Sequence, residues 1–211
     1  SYVRLQQESL IHLATIMRES IDSVDPTIQG IMCNCGDECE AIKYTAPIFA
    51  GKGNPTIVRA HSGMYAPPTA KGMSDAFRRM AVGYSHLKKN NIDIVLGETD
   101  TIPMNRYGKC ARYLHAHYTG LILGGARGAK HWITRFGTYE PTSGKAYREI
   151  LAKHTKFYQV LSELAENIRW VGCNSAFIEQ LPHPFFRENV WKYHENIWAT
   201  KFFERIGVPF Y

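Results

Sequence analysis

The sequence predicts an α/β fold in which short parallel strands alternate with helices. Four short runs rich in β-branched residues are separated by segments with apolar positions at helical spacing, a pattern typical of parallel sheets with right-handed crossovers. The 211 residues are 45% hydrophobic and 21% charged, which excludes disordered, collagen-like and low-complexity proteins. No glycine-rich phosphate loop follows a strand, which argues against a Rossmann or P-loop protein. Half of an eight-stranded β/α barrel and a complete small open sheet remain, and the barrel half is favoured.

The first half of the chain contains two of the four predicted strands. Apolar residues at helical spacing predict a helix over 3–24, which Asp25-Pro26 ends because proline disfavours the helical conformation in the residue before it. The apolar run 27–33 predicts a strand buried on both faces. A short helix over 38–49 and a second strand over 56–61 follow.

The second half of the chain continues the alternation. A proline-rich loop leads to a helix that Ser74 and Asp75 can cap. The predicted elements are a helix over 74–89, a strand over 92–97, a helix over 106–123, a strand over 130–136 and a last helix over 144–167. We expect a folded unit over 1–170, then a linker and the start of a further domain over 171–211. The chain opens on Ser1 and enters a helix almost at once, so we expect it to be part of a longer protein.

Composition and charge limit the partners. The chain has 25 basic and 19 acidic residues, a net charge of +6, but no basic run exceeds two residues, and a nucleic-acid binder would concentrate its charge in a stripe. No window holds the ~18 uncharged apolar residues that a membrane helix needs. We therefore expect no nucleic-acid and no membrane partner. The sequence leaves the compartment of this soluble chain open between cytoplasm and periplasm, and it allows a homo-oligomer through the parent chain.

Polar and aromatic side chains collect where the predicted strands end, and ligands of barrels and open α/β sheets bind at those carboxyl ends. Aromatic faces stack on the C–H surfaces of sugars, while carboxylates and arginine bond hydroxyl groups. The set therefore predicts a carbohydrate site rather than a pocket for an apolar ligand. Its members are Asn34, Asp37, Arg59, His61, Tyr65, Glu98, Asp100, Asn105, Trp132, Arg135 and Tyr139.

Glu98 is the sharpest of these features. It follows the apolar run Ile94-Val95-Leu96-Gly97, so we expect it where a buried strand ends. A carboxylate held there by Arg59 or His61 stays ionised, as the nucleophile of a glycosidase must. The alternative is a structural glutamate that bonds a helix N-terminus or a surface lysine.

At Glu98 the sequence resembles a known family. The stretch GETDTIPMNRYGKCARYLHAHYTGLILGGARGAKHWITRF, followed by YEPTSGKAYREIL, is similar to the strand-seven to strand-eight region of clan A glycoside hydrolase barrels. It is most similar to the family 42 β-galactosidase-like proteins. The pattern extends over about two-thirds of the chain. The matching positions are Glu98, Asn105, Gly128-Ala129, Trp132 and Arg135.

The resemblance implies that the chain holds strands five to eight of a TIM barrel, from an enzyme that hydrolyses β-linked sugars with retention. Glu98 would be its nucleophile and Trp132 a sugar platform, and the remaining polar residues would orient hydroxyl groups or the nucleophile. The acid/base glutamate, which the clan carries after strand four, would lie outside this chain, so the fragment alone is expected to be inactive. The tail over 171–211 resembles the passage into a flavodoxin-like domain. No cofactor is implied, and the cysteine metal site of the family does not match.

Two other functions stay open. A metal-dependent hydrolase barrel would use His61, Asp100 and His131 as ligands. His131 and Trp132 are adjacent in a strand and face opposite sides of it, so only one of them can point into the site. A catalytically inactive barrel would serve as a sugar-binding or assembly module. Two motifs have simpler interpretations than a metal site. Cys33, Cys35 and Cys39 are interpreted as loop thiols without metal. His115 and His117 are interpreted as helix-surface or packing residues, because side chains two positions apart on a helix point in different directions.

Overall fold

The computed structural model describes residues 2–34, 41–60, 69–100, 108–133 and 144–166. Its four strands form one parallel sheet in the order β1-β2-β3-β4. The strands are β1 at Met32–Cys33, β2 at Ile57–Arg59, β3 at Ile94–Asp100 and β4 at Gly128–Trp132. The predicted α/β fold with a parallel sheet is thus confirmed, and it is compatible with part of a β/α barrel.

Six helices accompany these strands within the described residues. They are α1 at Tyr2–Asp22, α2 at Ile42–Ala50, α3 at Ala70–Lys89, α4 at Ala111–Leu123, α5 at Lys145–Lys153 and α6 at Thr155–Glu166. None of these helices is both long enough and apolar enough to cross a lipid bilayer.

The core lies between the sheet and the three helices that connect the strands. Val58 and Val95 point into it and meet side chains of α2, α3 and α4. Gly97, two residues after Val95 on the same face, lies so close to Leu121 that an added Cβ would stand 2.7 Å from the Cδ1 of that leucine. Helix α1 packs on α2, and α5 and α6 pack on α4. The crossover helices therefore cover one face of the sheet, the face of Val58, Val95 and Gly97.

The third strand is longer than its apolar letters predict. The prediction ended it at Gly97, but β3 continues through Glu98, Thr99 and Asp100, which pair in register with Lys130, His131 and Trp132. The expectation that Glu98 follows the end of the strand is therefore wrong, because it lies inside β3. The polar residues extend the strand because their main chain pairs with β4, and Lys130 and His131 contact the side chains of Glu98 and Thr99.

Other predicted boundaries are also wrong, among them the start of the fourth strand, which begins at Gly128 instead of Lys130. Helix α3 begins before Ser74, because Thr69 is the N-cap and its hydroxyl oxygen accepts a hydrogen bond from the Gly72 N–H at 3.1 Å. The first strand is two residues long instead of seven. The last predicted helix is divided at His154, whose φ of −105° and ψ of 11° leave the helical region. The predicted segment 171–211 lies outside the described residues.

Candidate functional site

Glu98 is buried on β3 between two cations. Only 3% of the residue is exposed. Nη1 of Arg59 donates a hydrogen bond to Oε2 of Glu98 at 2.6 Å, and Nζ of Lys130 donates to Oε1, also at 2.6 Å. Each carboxylate oxygen therefore accepts a charge-assisted hydrogen bond from a different neighbouring strand.

Strand register brings these three side chains together. Lys130 stands directly opposite Glu98, while Arg59, the last residue of β2, is in register with Leu96, two residues before Glu98. Because side chains alternate between the faces of a sheet, Arg59, Glu98 and Lys130 share one face. That face is the one opposite to the crossover helices. The contact that the sequence predicts between Arg59 and Glu98 is present.

The charges of the site act on one another. The hydrogen bond that Lys130 donates to Glu98 is the largest cause that raises the pKa of Lys130. The attraction of Glu98 and Asp100 adds to it, while partial burial and the repulsion of Arg59 oppose it. Lys130 also stands with Nζ 5.3 Å from the centroid of the Trp132 ring, which is within cation–π range. The ammonium group thus joins the carboxylate to the aromatic residue.

Asp100 is a second carboxyl group on the face of Glu98. It is 1% exposed and in register with Trp132. Within the described part of the chain neither Oδ1 nor Oδ2 has a hydrogen-bond partner. Burial is the first cause that raises the pKa of Asp100, and repulsion by Glu98 is the second, while Lys130, Lys109 and Arg59 oppose them. The site therefore holds two carboxyl groups in different environments.

Lys109 contacts the main chain of Asp100 and is one of two cations near the site that the sequence analysis did not predict. Its Nζ donates to the main-chain oxygen of Asp100 at 2.6 Å, and its own carbonyl oxygen accepts from the Tyr147 hydroxyl at 2.6 Å. Burial lowers the pKa of Lys109. The other missed cation, Lys130, had a usable signal, because it precedes Trp132 by two residues and so shares its face in a strand.

The remaining predicted residues divide into two groups. Asn34 lies at the carboxyl end of β1, buried, and its N–H donates to the Arg59 carbonyl oxygen at 2.9 Å; β2 separates it from Glu98. The other group lies outside the described residues and consists of Asp37, His61, Tyr65, Asn105, Arg135 and Tyr139.

The geometry bears on the metal-dependent alternative. His131 pairs with Thr99, whose hydroxyl oxygen is 2.5 Å from its Nδ1, and its ring meets Tyr118 of α4 edge-on at 4.7 Å. His131 therefore faces the helices, whereas Asp100 faces away from them, and the two cannot ligate one ion. Across the segments that the structure describes, no three His, Cys, Asp or Glu side chains are grouped to hold a metal.

Of the two roles predicted for the helical histidines, surface or packing, both residues take the packing role. His117 is 2% exposed, and burial, with the charges of Lys109 and His131, lowers its pKa to about 4. His115 meets the Tyr158 hydroxyl with Nδ1 at 2.8 Å and stacks on His154 at 4.1 Å. Cys33 is a free thiol, while Cys35 and Cys39 lie outside the described residues.

One face of the sheet thus combines three features. The buried Glu98 carboxylate accepts two hydrogen bonds from cations, the buried carboxyl group of Asp100 has no partner among the described residues, and the Trp132 ring lies beside Lys130. Such a set can bind a polar ligand that offers hydroxyl groups and an apolar ring face. The comparisons with known proteins add no relative to this description. No family model, no curated protein and no solved structure matches the chain.

Proposed function

We propose that the chain is the C-terminal half of a β/α barrel from a retaining glycoside hydrolase that acts on β-linked sugars such as galactosides. The observation that carries this proposal is Glu98, buried at 3% exposure and held by Arg59 and Lys130 at 2.6 Å each, on the same face as Trp132. The two cations fix both oxygens of this carboxylate in place, and a carboxylate in a fixed position is what a nucleophilic mechanism requires.

The order of the strands supports the half barrel over an open sheet. An open doubly wound sheet reverses its strand order at a switch point, and helices cover both of its faces. Here the order β1-β2-β3-β4 follows the chain without reversal, and α2, α3 and α4 share one core cluster on one face. In a closed barrel the opposite face, with Glu98, becomes the interior and its mouth.

The proposed reaction has two steps. A carboxylate oxygen of Glu98 attacks the anomeric carbon while the glycosidic C–O bond breaks, and a glutamate from outside this chain gives its proton to the leaving oxygen. That glutamate then takes a proton from water, which attacks the glycosyl-enzyme and releases the sugar and the Glu98 carboxylate. Arg59 and Lys130 hold the nucleophile, and Trp132 stacks on the sugar. Among the residues outside the described segments, His61, Tyr65, Asn105 and Arg135 are the candidates to bind hydroxyl groups.

The test is the Glu98→Gln variant of the parent protein, assayed with 4-nitrophenyl β-D-galactopyranoside. We expect kcat to fall by at least about 10³-fold, because the nucleophile is removed while the shape of the side chain is kept. With Glu98→Ala, added azide should restore turnover and give a glycosyl azide of inverted anomeric configuration. Glu8→Gln, at the exposed Arg4–Glu8 pair of α1, is the matched control and should keep full activity. Near-normal turnover by Glu98→Gln would refute the assignment.

A non-catalytic sugar-binding module is the second candidate. It is favoured by the saturation of Glu98, since both carboxylate oxygens already accept hydrogen bonds from cations, as in a structural ion pair. In that case the parent protein would bind galactosides with a measurable heat in calorimetry and show no turnover, and Glu98→Gln would change the affinity alone.

A further inference from the structure

Asp100 lies beside the proposed nucleophile but takes no part in the two reaction steps. It follows Glu98 by two residues on β3, so the two side chains leave the same face of the strand with their Cα atoms ~6.6 Å apart at the usual rise. The residue is 1% exposed, which is less than Glu98 itself. A carboxyl group buried this deeply is unusual unless it is paired or protonated.

The cations near Asp100 donate hydrogen bonds to other acceptors. Arg59 and Lys130 each donate to the Glu98 carboxylate, and Lys109 donates to the main-chain oxygen of Asp100. Within the described segments both carboxyl oxygens of Asp100 lack a hydrogen-bond partner. A buried ionised carboxylate without hydrogen bonds is costly, and a second negative charge beside Glu98 adds repulsion.

We propose that Asp100 takes part in ligand binding as a neutral carboxylic acid, which donates its O–H to a hydroxyl oxygen of the ligand beside Glu98. A carboxylic acid offers one donor and one acceptor, the same complement that a hydroxyl group offers in return. An ionised Asp100 would only accept hydrogen bonds and would favour a cationic ligand such as an amino sugar. The neutral form therefore selects uncharged hydroxylated ligands at this position.

Charged groups on several neighbouring elements act on the protonation of Asp100 in opposite directions. Glu98 on β3 and burial favour the neutral form, while Lys130 on β4, Lys109 before α4 and Arg59 on β2 favour the ionised form. The raised pKa of Asp100 agrees with the hydrogen-bond geometry, in which those three cations donate elsewhere. The class of ligand rests on the proposed function, but the protonation of Asp100 does not.

The first experiment measures that protonation directly. The chain is labelled with ¹³C at aspartate carboxyl carbons and titrated by NMR, with Asp100 assigned by triple-resonance spectra and by its loss in Asp100→Asn. We expect Asp100 to titrate above the ordinary value of about 3.9. Asp93 is the matched control, because hydrogen bonds from the Thr56 N–H and hydroxyl lower its pKa. A titration of Asp100 at or below the ordinary value would overturn the proposal.

The second experiment compares ligands in the parent protein. Asp100→Asn keeps a neutral donor and acceptor, so binding of methyl β-D-galactopyranoside should stay within about 10-fold of the parent, whereas Asp100→Ala should lose more, since it leaves nothing to pair with the sugar hydroxyl. Tighter binding of a protonated amino sugar than of the neutral sugar would contradict a neutral Asp100. Full activity of Glu98→Gln would refute the nucleophile alone, and the NMR titration would still decide the state of Asp100.

Discussion

Replacing Arg59 with methionine should expose how much the fold depends on the buried ion pair. The side chains of Arg59 and Glu98 are 11% and 5% exposed and meet at 2.6 Å. Arg59→Met keeps most of the apolar stem of Arg59 but leaves Glu98 without its guanidinium partner. Loss of one member of a buried pair costs ~3–5 kcal/mol, because the other charge stays buried and unpaired.

We expect the lower end of that range, about 3 kcal/mol, because Lys130 remains bonded to Glu98. For a chain of this length such a loss lowers Tm by about 6–12 °C. The free energy of unfolding of the double variant Arg59→Met/Glu98→Met should lie within ~1 kcal/mol of that of the unsubstituted chain, because replacing both partners by apolar groups removes the uncompensated charge. Lys130 tolerates the double change because 48% of its side chain is exposed.

Urea unfolding followed by circular dichroism measures these free energies at pH 7. Arg4→Met is the matched control, because the Arg4–Glu8 pair has the same charges at 78% and 57% exposure and should contribute less than ~0.5 kcal/mol. If the free energy of unfolding of Arg59→Met lies within ~0.5 kcal/mol of that of the unsubstituted chain, the Glu98 carboxylate does not depend on Arg59. The electrostatic explanation of the site would then be wrong.

Two further predictions concern the helix-facing core. Burial lowers the pKa of His117 to about 4 in the folded chain. As the pH falls, the unfolded chain therefore binds a proton before the folded chain does. The free energy of unfolding should decrease between about pH 6.5 and about pH 4, by on the order of 3 kcal/mol in total. His117→Phe should flatten that part of a Tm-against-pH curve, and an unchanged slope would argue against a neutral buried histidine. Gly125 has φ +106°, and an added Cβ would strike the Tyr84 ring, so Gly125→Ala should cost ~2–4 kcal/mol in urea unfolding. Gly53→Ala, at φ +80° with nothing within 4 Å, should cost only ~1 kcal/mol, and equal losses would show that the ring contact is unimportant.

The sequence was sufficient to predict the alternation of strands and helices but not the end of the third strand. The letters Gly-Glu-Thr-Asp resemble a loop, because polar residues usually mark the surface. They form a strand here because Glu98, Thr99 and Asp100 meet Lys130, His131 and Trp132 across the ladder. Pairing between strands depends on register, and register is a property of the folded sheet that no local pattern contains.

The same limit explains which site residues could be predicted. Arg59 and Glu98 could be predicted from the sequence, because each follows an apolar run. Residues at the carboxyl ends of neighbouring parallel strands lie close together, so a contact between the two was expected. Lys109 was not, because its role rests on a hydrogen bond to a main-chain oxygen. A main-chain acceptor is offered by every residue, so the sequence carries no mark of where such a bond forms.

The sheet order has a consequence for folding. Each strand pairs with the one before it in the chain, so the sheet can grow one β/α unit at a time, as it would during synthesis. The Glu98 carboxylate, however, takes one hydrogen bond from β2 and one from β4. Both oxygens of this carboxylate are therefore hydrogen-bonded only after the fourth strand has paired with the third. We therefore expect the second ion pair of Glu98 to form late in folding, when the sheet is complete.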